Sequence, residues 1–216
     1  MERENFTSIK EELLNPDSST LESVAVVYAK VFAGWPWYEV SKGMNCEQFY
    51  GPEFPPGSLC PCGYENLVEA YPKEETIKYI KDELSKPLAL GINLAVNGLQ
   101  SGFGWGYKLS GKDFAEKKYS KTDSRIAIAS VVGNKDYFYI SEVGIVPSFQ
   151  GSGLGFRITS RLAEQASFYS LPILMRTNIE SPMVKIGKRL GMSIVFGPST
   201  DFIDPENPKR VVFTKE

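Results

Sequence analysis

Histidine is absent from all 216 residues. That absence removes the usual neutral-pH general base and the commonest metal ligand, so proton transfer must fall to carboxylates, phenols, thiols or ordered water. Cysteine is scarce: Cys46, Cys60 and Cys62 are the only three. Long apolar runs are missing too, and none approaches the roughly 20 residues needed to span a bilayer. Residues 1–10 are polar and charged, unlike a signal peptide, so a cytoplasmic protein with no membrane partner is expected. There is no basic excess either. Twenty-four Lys and Arg stand against 26 Asp and Glu, a net charge of −2, so no nucleic-acid partner is expected, and the stretch 112–121 reads as a solvated helix or loop. With 42% hydrophobic residues and no repeats, the chain can bury a substantial core as a single domain over 1–216.

The most informative stretch is 139–155, YISEVGIVPSFQGSGLG. An apolar strand passes through Pro147 into a glycine turn, and Leu154, Ile158, Leu162, Ala166 and then Tyr169 recur at helical spacing. A helix therefore starts near Gly153. Its first amides have no intrahelical partner, and Gly151, Gly153 and Gly155 have no Cβ to hold a ligand off the backbone. A phosphate or pyrophosphate suits such a place. A P-loop would need Lys-Ser or Lys-Thr where Phe156-Arg157 stands, and a dinucleotide fingerprint would need glycine in place of Phe156.

The remaining pattern, Gln150-x-x-Gly153-x-Gly155 after a strand, resembles the Q/R-x-x-G-x-G/A signature of the GNAT superfamily of acyl-CoA N-acyltransferases. The segment 172–196 is similar to the family's closing region: a strand ending at Asn178, an N-cap at Ser181 before Pro182, a short helix, then Leu190-Gly191 and a last strand. The resemblance covers residues 87–216 well. It implies an α/β fold with a mixed, largely antiparallel central sheet flanked by helices on both faces, and acetyl-CoA as co-substrate. Val143, Ile145 and Val146 would line the pantetheine, Gln150, Gly151, Ser152, Gly153, Leu154 and Gly155 the pyrophosphate, and Asn178 and Ser181 would complete the cofactor site.

Nearer the N-terminus, Leu21, Val24, Ala25, Tyr28, Val31 and Phe32 form one helical face. The Trp35-Pro36-Trp37-Tyr38 loop follows, beside Glu39. In the resembled fold this loop walls the acceptor site, so Trp35 and Trp37 are substrate-binding candidates, a hydrophobic plug being the alternative. Residues 43–72 form an irregular Pro/Gly-rich insertion before a second helix over 73–84. Its Cys60-Pro61-Cys62-Gly63 knuckle leaves three readings open: free thiols, a regulatory disulfide, or a structural zinc on Cys46, Cys60 and Cys62, with Glu47, Glu53 or water completing the set. Segments 88–96 and 99–107 form a hairpin around Asn97-Gly98. In its second strand Gly102, Gly104 and Gly106 share one face, while Phe103, Trp105 and Tyr107 share the other. Trp105 and Tyr107 either pack the core or line the acceptor pocket. A second insertion occupies 108–135.

The implied chemistry is attack of an amine on the thioester carbon. Glu142, an acidic residue on the strand entering the turn, is the candidate base. Tyr139 stands where some family members carry a catalytic glutamate, and a bulge would decide which of Tyr139, Ser141 and Glu142 face the pocket. Gly187 occupies the place of the family's usual tyrosine acid, so the sulfur either leaves as thiolate without an acid or is protonated by Ser181 or water; a backbone N–H near Ile145 or Val146 would hold the oxyanion. The acceptor expected is a small-molecule or peptide amine, and a homodimer is left open. The rival reading is a non-catalytic CoA-sensing or protein-binding module of the same fold.

Overall fold

The structure, a computed structural model, describes residues 8–198 and 208–216; of the polar stretch 1–10, residues 1–7 lie outside the described residues. In chain order the elements are β1 (Ile9–Leu14), α1 (Leu21–Phe32), β2 (Ser41–Lys42), β3 (Phe49–Tyr50), β4 (Val68–Glu69), α2 (Lys73–Leu84), β5 (Leu90–Val96) and β6 (Leu99–Ser110). There follow α3 (Gly111–Lys118), α4 (Thr122–Val132), β7 (Asp136–Ile145), α5 (Leu154–Phe168), β8 (Ile173–Asn178), α6 (Met183–Arg189), β9 (Ser193–Phe196) and β10 (Arg210–Lys215). Seven strands make one sheet, ordered β1-β5-β6-β7-β8-β10-β9, while β3-β2-β4 form a small separate sheet. Every pairing in the large sheet is antiparallel except β7 with β8.

Alternation along β6 sets the layers. Trp105 and Phe103 lie with α1 and α2 in one apolar cluster, Tyr107 with α3 and α4 in a second, while α5 and α6 cover the opposite face. The glycine face of β6 admits α5 closely: a Cβ on Gly104 would stand 2.5 Å from Ile158 Cγ2. Leu154, Ile158, Leu162 and Ala166 are buried as their spacing predicts, and each of the larger three contributes roughly 1.5–3 kcal/mol by leaving water. Tyr169 is the exception. It caps α5 and is exposed, because the helix ends before a further turn can carry it onto the sheet.

The Asn97-Gly98 turn has both residues at positive φ, as a type I′ hairpin requires. Residues 108–110 prolong β6 instead of opening an insertion, and α3 and α4 then pack Phe114, Tyr119, Ile128 and Val132 onto the sheet. The stretch 112–121 is therefore amphipathic, half core and half surface. No helix of the described residues is long and apolar enough to cross a membrane.

Candidate active site

β7 and β8 separate early. Their pairing joins Phe138 to Ile173, Tyr139 to Leu174 and Ile140 to Met175, after which β7 continues along β6 alone as far as Ile145. At the point of parting β7 carries a bulge: Trp105 faces Glu142 but the next residue, Gly106, faces Ile140, so Ser141 is the extra residue. The bulge restores the phase of the side chains. Tyr139 and Glu142, three apart, consequently lie on the same face, and both line one pocket.

Beyond the bulge the ladder aims backbone groups into the gap. Val146 N–H donates to Ser101 C=O at 3.0 Å; by antiparallel alternation Gly144 and Glu142 also turn their backbone groups to β6, which leaves those of Val143 and Ile145 facing the side β8 has vacated. The oxyanion donor expected near Ile145 or Val146 is thus not Val146, whose N–H is engaged and whose side chain packs with the α1 cluster. Gln150 Nε2 donates to Ile145 C=O at 3.1 Å and closes the turn.

The turn itself opens α5. Gly153 sits at φ +89°, a conformation that suits glycine, and the first i→i−4 bond of α5 is Arg157 N–H to Gly153 C=O at 3.0 Å. The amides of Leu154, Gly155 and Phe156 precede it and are helix-terminal donors. They border a groove of about 300 Å³ lined by Val143, Ile145, Gln150, Gly151, Gly153, Leu154 and Gly155 together with Trp35, Ser181 and α6. Lys185 and Arg189 flank it, the Arg189 guanidinium lying 4.0 Å from the Phe156 ring centroid. Neither cation was flagged by the sequence reading.

Besides Val146, which packs with the α1 cluster and does not line the groove, two cofactor candidates lie elsewhere. Ser152 donates its hydroxyl to Phe149 C=O at 2.5 Å and is not among the groove-lining residues. Asn178 accepts from Glu180 N–H at 2.9 Å in the turn between β8 and α6, and it borders a different cavity with Trp37, Glu39 and Arg210. Asparagine at a strand end prefers to bond its own backbone two residues on.

Where the strands part, the groove meets a second pocket, of about 220 Å³, and Trp37, Val143, Ser181 and Met183 line both. Its walls are charged: Glu39 and Glu142 against Lys118, Arg176 and Arg210. Glu142 Oε1 accepts from Tyr79 at 3.0 Å and Tyr28 at 3.3 Å. Burial pushes its carboxyl up to about 7, further raised by Glu83 and Glu39, with Lys118 and the Tyr79 hydrogen bond opposing. Burial also raises Glu39, which accepts from the Tyr71 hydroxyl, and lowers Lys118 and Arg210. Arg210 lies 4.5 Å from the Trp37 ring centroid, and Arg176 Nη1 donates to Lys118 C=O at 2.7 Å. Tyr139 forms part of the wall beneath Lys118, whose Nζ is 5.4 Å from its ring centroid; burial holds its hydroxyl protonated.

Of the four aromatic acceptor candidates only the loop pair lines either pocket. Trp37 lines both pockets and Trp35 the groove alone. Trp105 and Tyr107 do not line the charged pocket: Trp105 is fully buried, stacked on Phe103 at 5.3 Å and Tyr28 at 6.0 Å, and Tyr107 donates to the buried Glu83 at 3.1 Å. They share a face with Glu142 and Tyr139, their partners across the ladder, but α1 to α4 close over them, whereas the pocket opens beside the β7 residues where β8 has parted. The residues missed were Tyr28, Tyr79, Lys118, Arg176 and Arg210. Arg176 alone had left a signal, a cation inside an otherwise apolar strand.

No family model and no curated protein matches the chain. Solved structures do, and the fold is that of the GNAT N-acetyltransferases. The PaiA N-acetyltransferase of Thermoplasma acidophilum in complex with coenzyme A aligns over 97% of this chain and 99% of its own, with TM-score 0.57 at 11% identity. A mosquito arylalkylamine N-acetyltransferase-like protein, 5b, aligns over 96% and 99%, with TM-score 0.58 at 12% identity. The polyamine N-acetyltransferase of Drosophila melanogaster, which catalyses formation of N-acetylagmatine, aligns over 96% and 99%, with TM-score 0.55 at 11% identity.

Proposed function

We propose that the chain is an acyl-CoA-dependent N-acyltransferase that moves an acetyl group from acetyl-CoA to the amine of a small-molecule or peptide acceptor. One observation carries this reading: a groove of glycine-turn amides and outward-facing strand backbone runs into a charged pocket at Val143, and a buried carboxylate, Glu142, stands beside the junction, its pKa pushed up to about 7 by burial. The groove suits an elongated pyrophosphate-bearing thioester, with Gly151, Gly153, Leu154 and Gly155 at the phosphates, Lys185 and Arg189 supplying counter-charge, and Val143 and Ile145 along the pantetheine.

Glu142 is the general base. A primary amine near pKa 10.4 is almost wholly protonated at neutral pH, and freeing it costs roughly 4 kcal/mol; a carboxylate raised to about 7 is well matched to take that proton at working pH. Tyr28 and Tyr79 both hold Oε1, which leaves Oε2 for the acceptor. The amine nitrogen then bonds to the thioester carbon, with the Val143 or Ile145 N–H on the oxyanion. The C–S bond breaks, and as the nitrogen gives up its second proton the thiolate takes one, relayed through Ser181 or water. Ser181 Oγ accepts from Met183 N–H at 3.2 Å and keeps its own proton to give. Gly187 supplies no acid: a Cβ there would meet Met175 and Phe213 in the core.

Three cations against two carboxylates favour an acceptor that carries an anionic group near its amine over a polyamine. The test is thiol release from acetyl-CoA across amino acids, amino-acid derivatives, polyamines and peptides. Acetyl-CoA binding without acceptor-dependent release for any amine would reject catalysis in favour of a CoA-sensing module.

A further inference from the structure

Residues 43–67 fold with almost no core of their own. Among them only Gly43, Gly51, Cys60 and Leu67 are buried, whereas Leu59 and Tyr64 are exposed. Yet the segment is closely ordered by short hydrogen bonds: Cys60 N–H to Glu65 C=O and Gly63 N–H to Cys60 C=O, both at 2.8 Å, with Gly57 N–H to Leu67 C=O at 2.7 Å. So small an apolar content does not by itself hold a loop of this length, and segments like it generally need a covalent or metal staple.

We propose that this segment is built around a structural zinc ion held by Cys46, Cys60, Cys62 and Glu65. The knuckle turn from Cys60 to Gly63 brings Cys60 and Cys62 onto one side, and the returning strand brings Glu65 back opposite them. The three sulfurs and a Glu65 carboxylate oxygen all lie within 4.8 Å of one another. Tetrahedral zinc with sulfur at about 2.3 Å has an S···S edge of about 3.8 Å. Cys46 Sγ and Cys60 Sγ are 3.7 Å apart. The acidic ligand is Glu65, and not Glu47 or Glu53 as the sequence suggested. It lies beyond the knuckle in sequence and is oriented by Asn45 N–H, which donates to its Oε1 at 2.7 Å.

The surroundings are those of thiolate ligands. Tyr50 Oη stands 3.5 Å from both Cys46 Sγ and Cys60 Sγ, and Cys62 N–H donates to Cys60 Sγ at 3.5 Å; such outer contacts orient sulfurs and spread their charge. Gly43 backs the cluster. A Cβ there would stand 2.5 Å from Cys46 Sγ, 3.1 Å from Glu65 Oε1 and 3.2 Å from Cys60 Sγ, so a side chain at this position would drive the ligands apart. Soft thiolates in a tetrahedral set select zinc over calcium or magnesium. The site reaches the charged pocket through one step of chain. Tyr50 pairs with Ser41 and Phe49 with Lys42, and Phe49 lines that pocket and stacks on Tyr71 at 5.7 Å.

The test is elemental analysis of full-length protein purified without chelator, followed by Co²⁺ exchange. About one zinc per chain is expected, and Co²⁺ should give intense tetrahedral ligand-field bands with thiolate charge transfer. Glu65→Gln should weaken zinc affinity about tenfold or more, and Gly43→Val should do so without removing a ligand. Glu65→Cys keeps four ligands and guards against simple misfolding; it should retain the metal and shift the cobalt bands toward a four-thiolate spectrum. Protein that carries no zinc and takes up no Co²⁺ would overturn the site, and an unchanged cobalt spectrum in Glu65→Cys would overturn the fourth ligand.

Discussion

The groove and the charged pocket meet at Val143 but are made in opposite ways. Apart from Val31 and the 35–37 loop, the groove is drawn from one run of chain, 143–189, and its working parts are amides, glycines and strand direction. The pocket takes side chains from Tyr28 to Arg210 and concentrates buried charge. A site that recognises its ligand with backbone is written in local spacing. A site that recognises with side chains exists only once distant elements pack.

The sharpest way to break that contrast is at the turn. Gly155→Asp places a side chain toward Ile186 and Ile145 and an anion at the amides of α5; the stabilisation of the wild type by acetyl-CoA, seen as a thermal shift, should vanish. Gly153→Asp should do the same, with added backbone strain from φ +89°. A full thermal shift in both variants would remove the groove from cofactor binding.

Next comes the pocket's carboxylate. Glu142→Gln should slow turnover by roughly 10²-fold or more with acetyl-CoA affinity intact. In the wild type kcat/KM should climb as pH rises through about 7 and then level, and the variant should lose that ionisation. An identical pH profile in the two proteins would move the base elsewhere.

The same residue links pH to stability. Its folded pKa is raised, so the folded state binds the proton more tightly than the unfolded chain; that contribution is full below about 4.5 and is lost as pH rises through about 7. Glu142→Gln has no such loss, and at pH 8 relative to pH 4.5 it should gain about 1–3 kcal/mol on the wild type. Chemical denaturation at both values measures this. Parallel pH dependence would mean that Glu142 is solvated.

The smallest effect belongs to Trp105→Phe. The indole N–H of Trp105 is buried and meets no partner among the described residues, so losing it offsets part of the lost packing. A net loss of about 1–2 kcal/mol is expected, with acceptor KM unchanged. A raised KM at constant stability would return Trp105 to the acceptor site.

The legible parts follow the same division. Helix α5, its glycine turn and the hairpin around Asn97-Gly98 announce themselves through periodicity and positive-φ residues. Strand β1 and strand β10 did not: β1 carries Lys10, Glu11 and Glu12 on a sheet edge, and β10 threads between β8 and β9 out of chain order. Lys118 was hidden in a charged stretch, because which lysine a helix turns inward depends on Phe114 and Tyr119 finding the sheet. Glu83 fits the inward spacing of Thr76 and Ile80, but an acid on that stripe makes sense only once Tyr107 and Ser141 arrive to donate to it.

The parting of β7 from β8 also governs how the molecule holds together. One block of sheet, β1-β5-β6-β7, and another, β8-β10-β9, are stitched by three residue pairs. A ligand lying in the cleft with hydrogen bonds to β7 on one flank and contacts to α6 on the other serves as an additional rung. Occupancy would therefore fasten the two blocks to each other, and amide exchange along β8 and β10 should slow on ligation although neither strand forms the glycine turn.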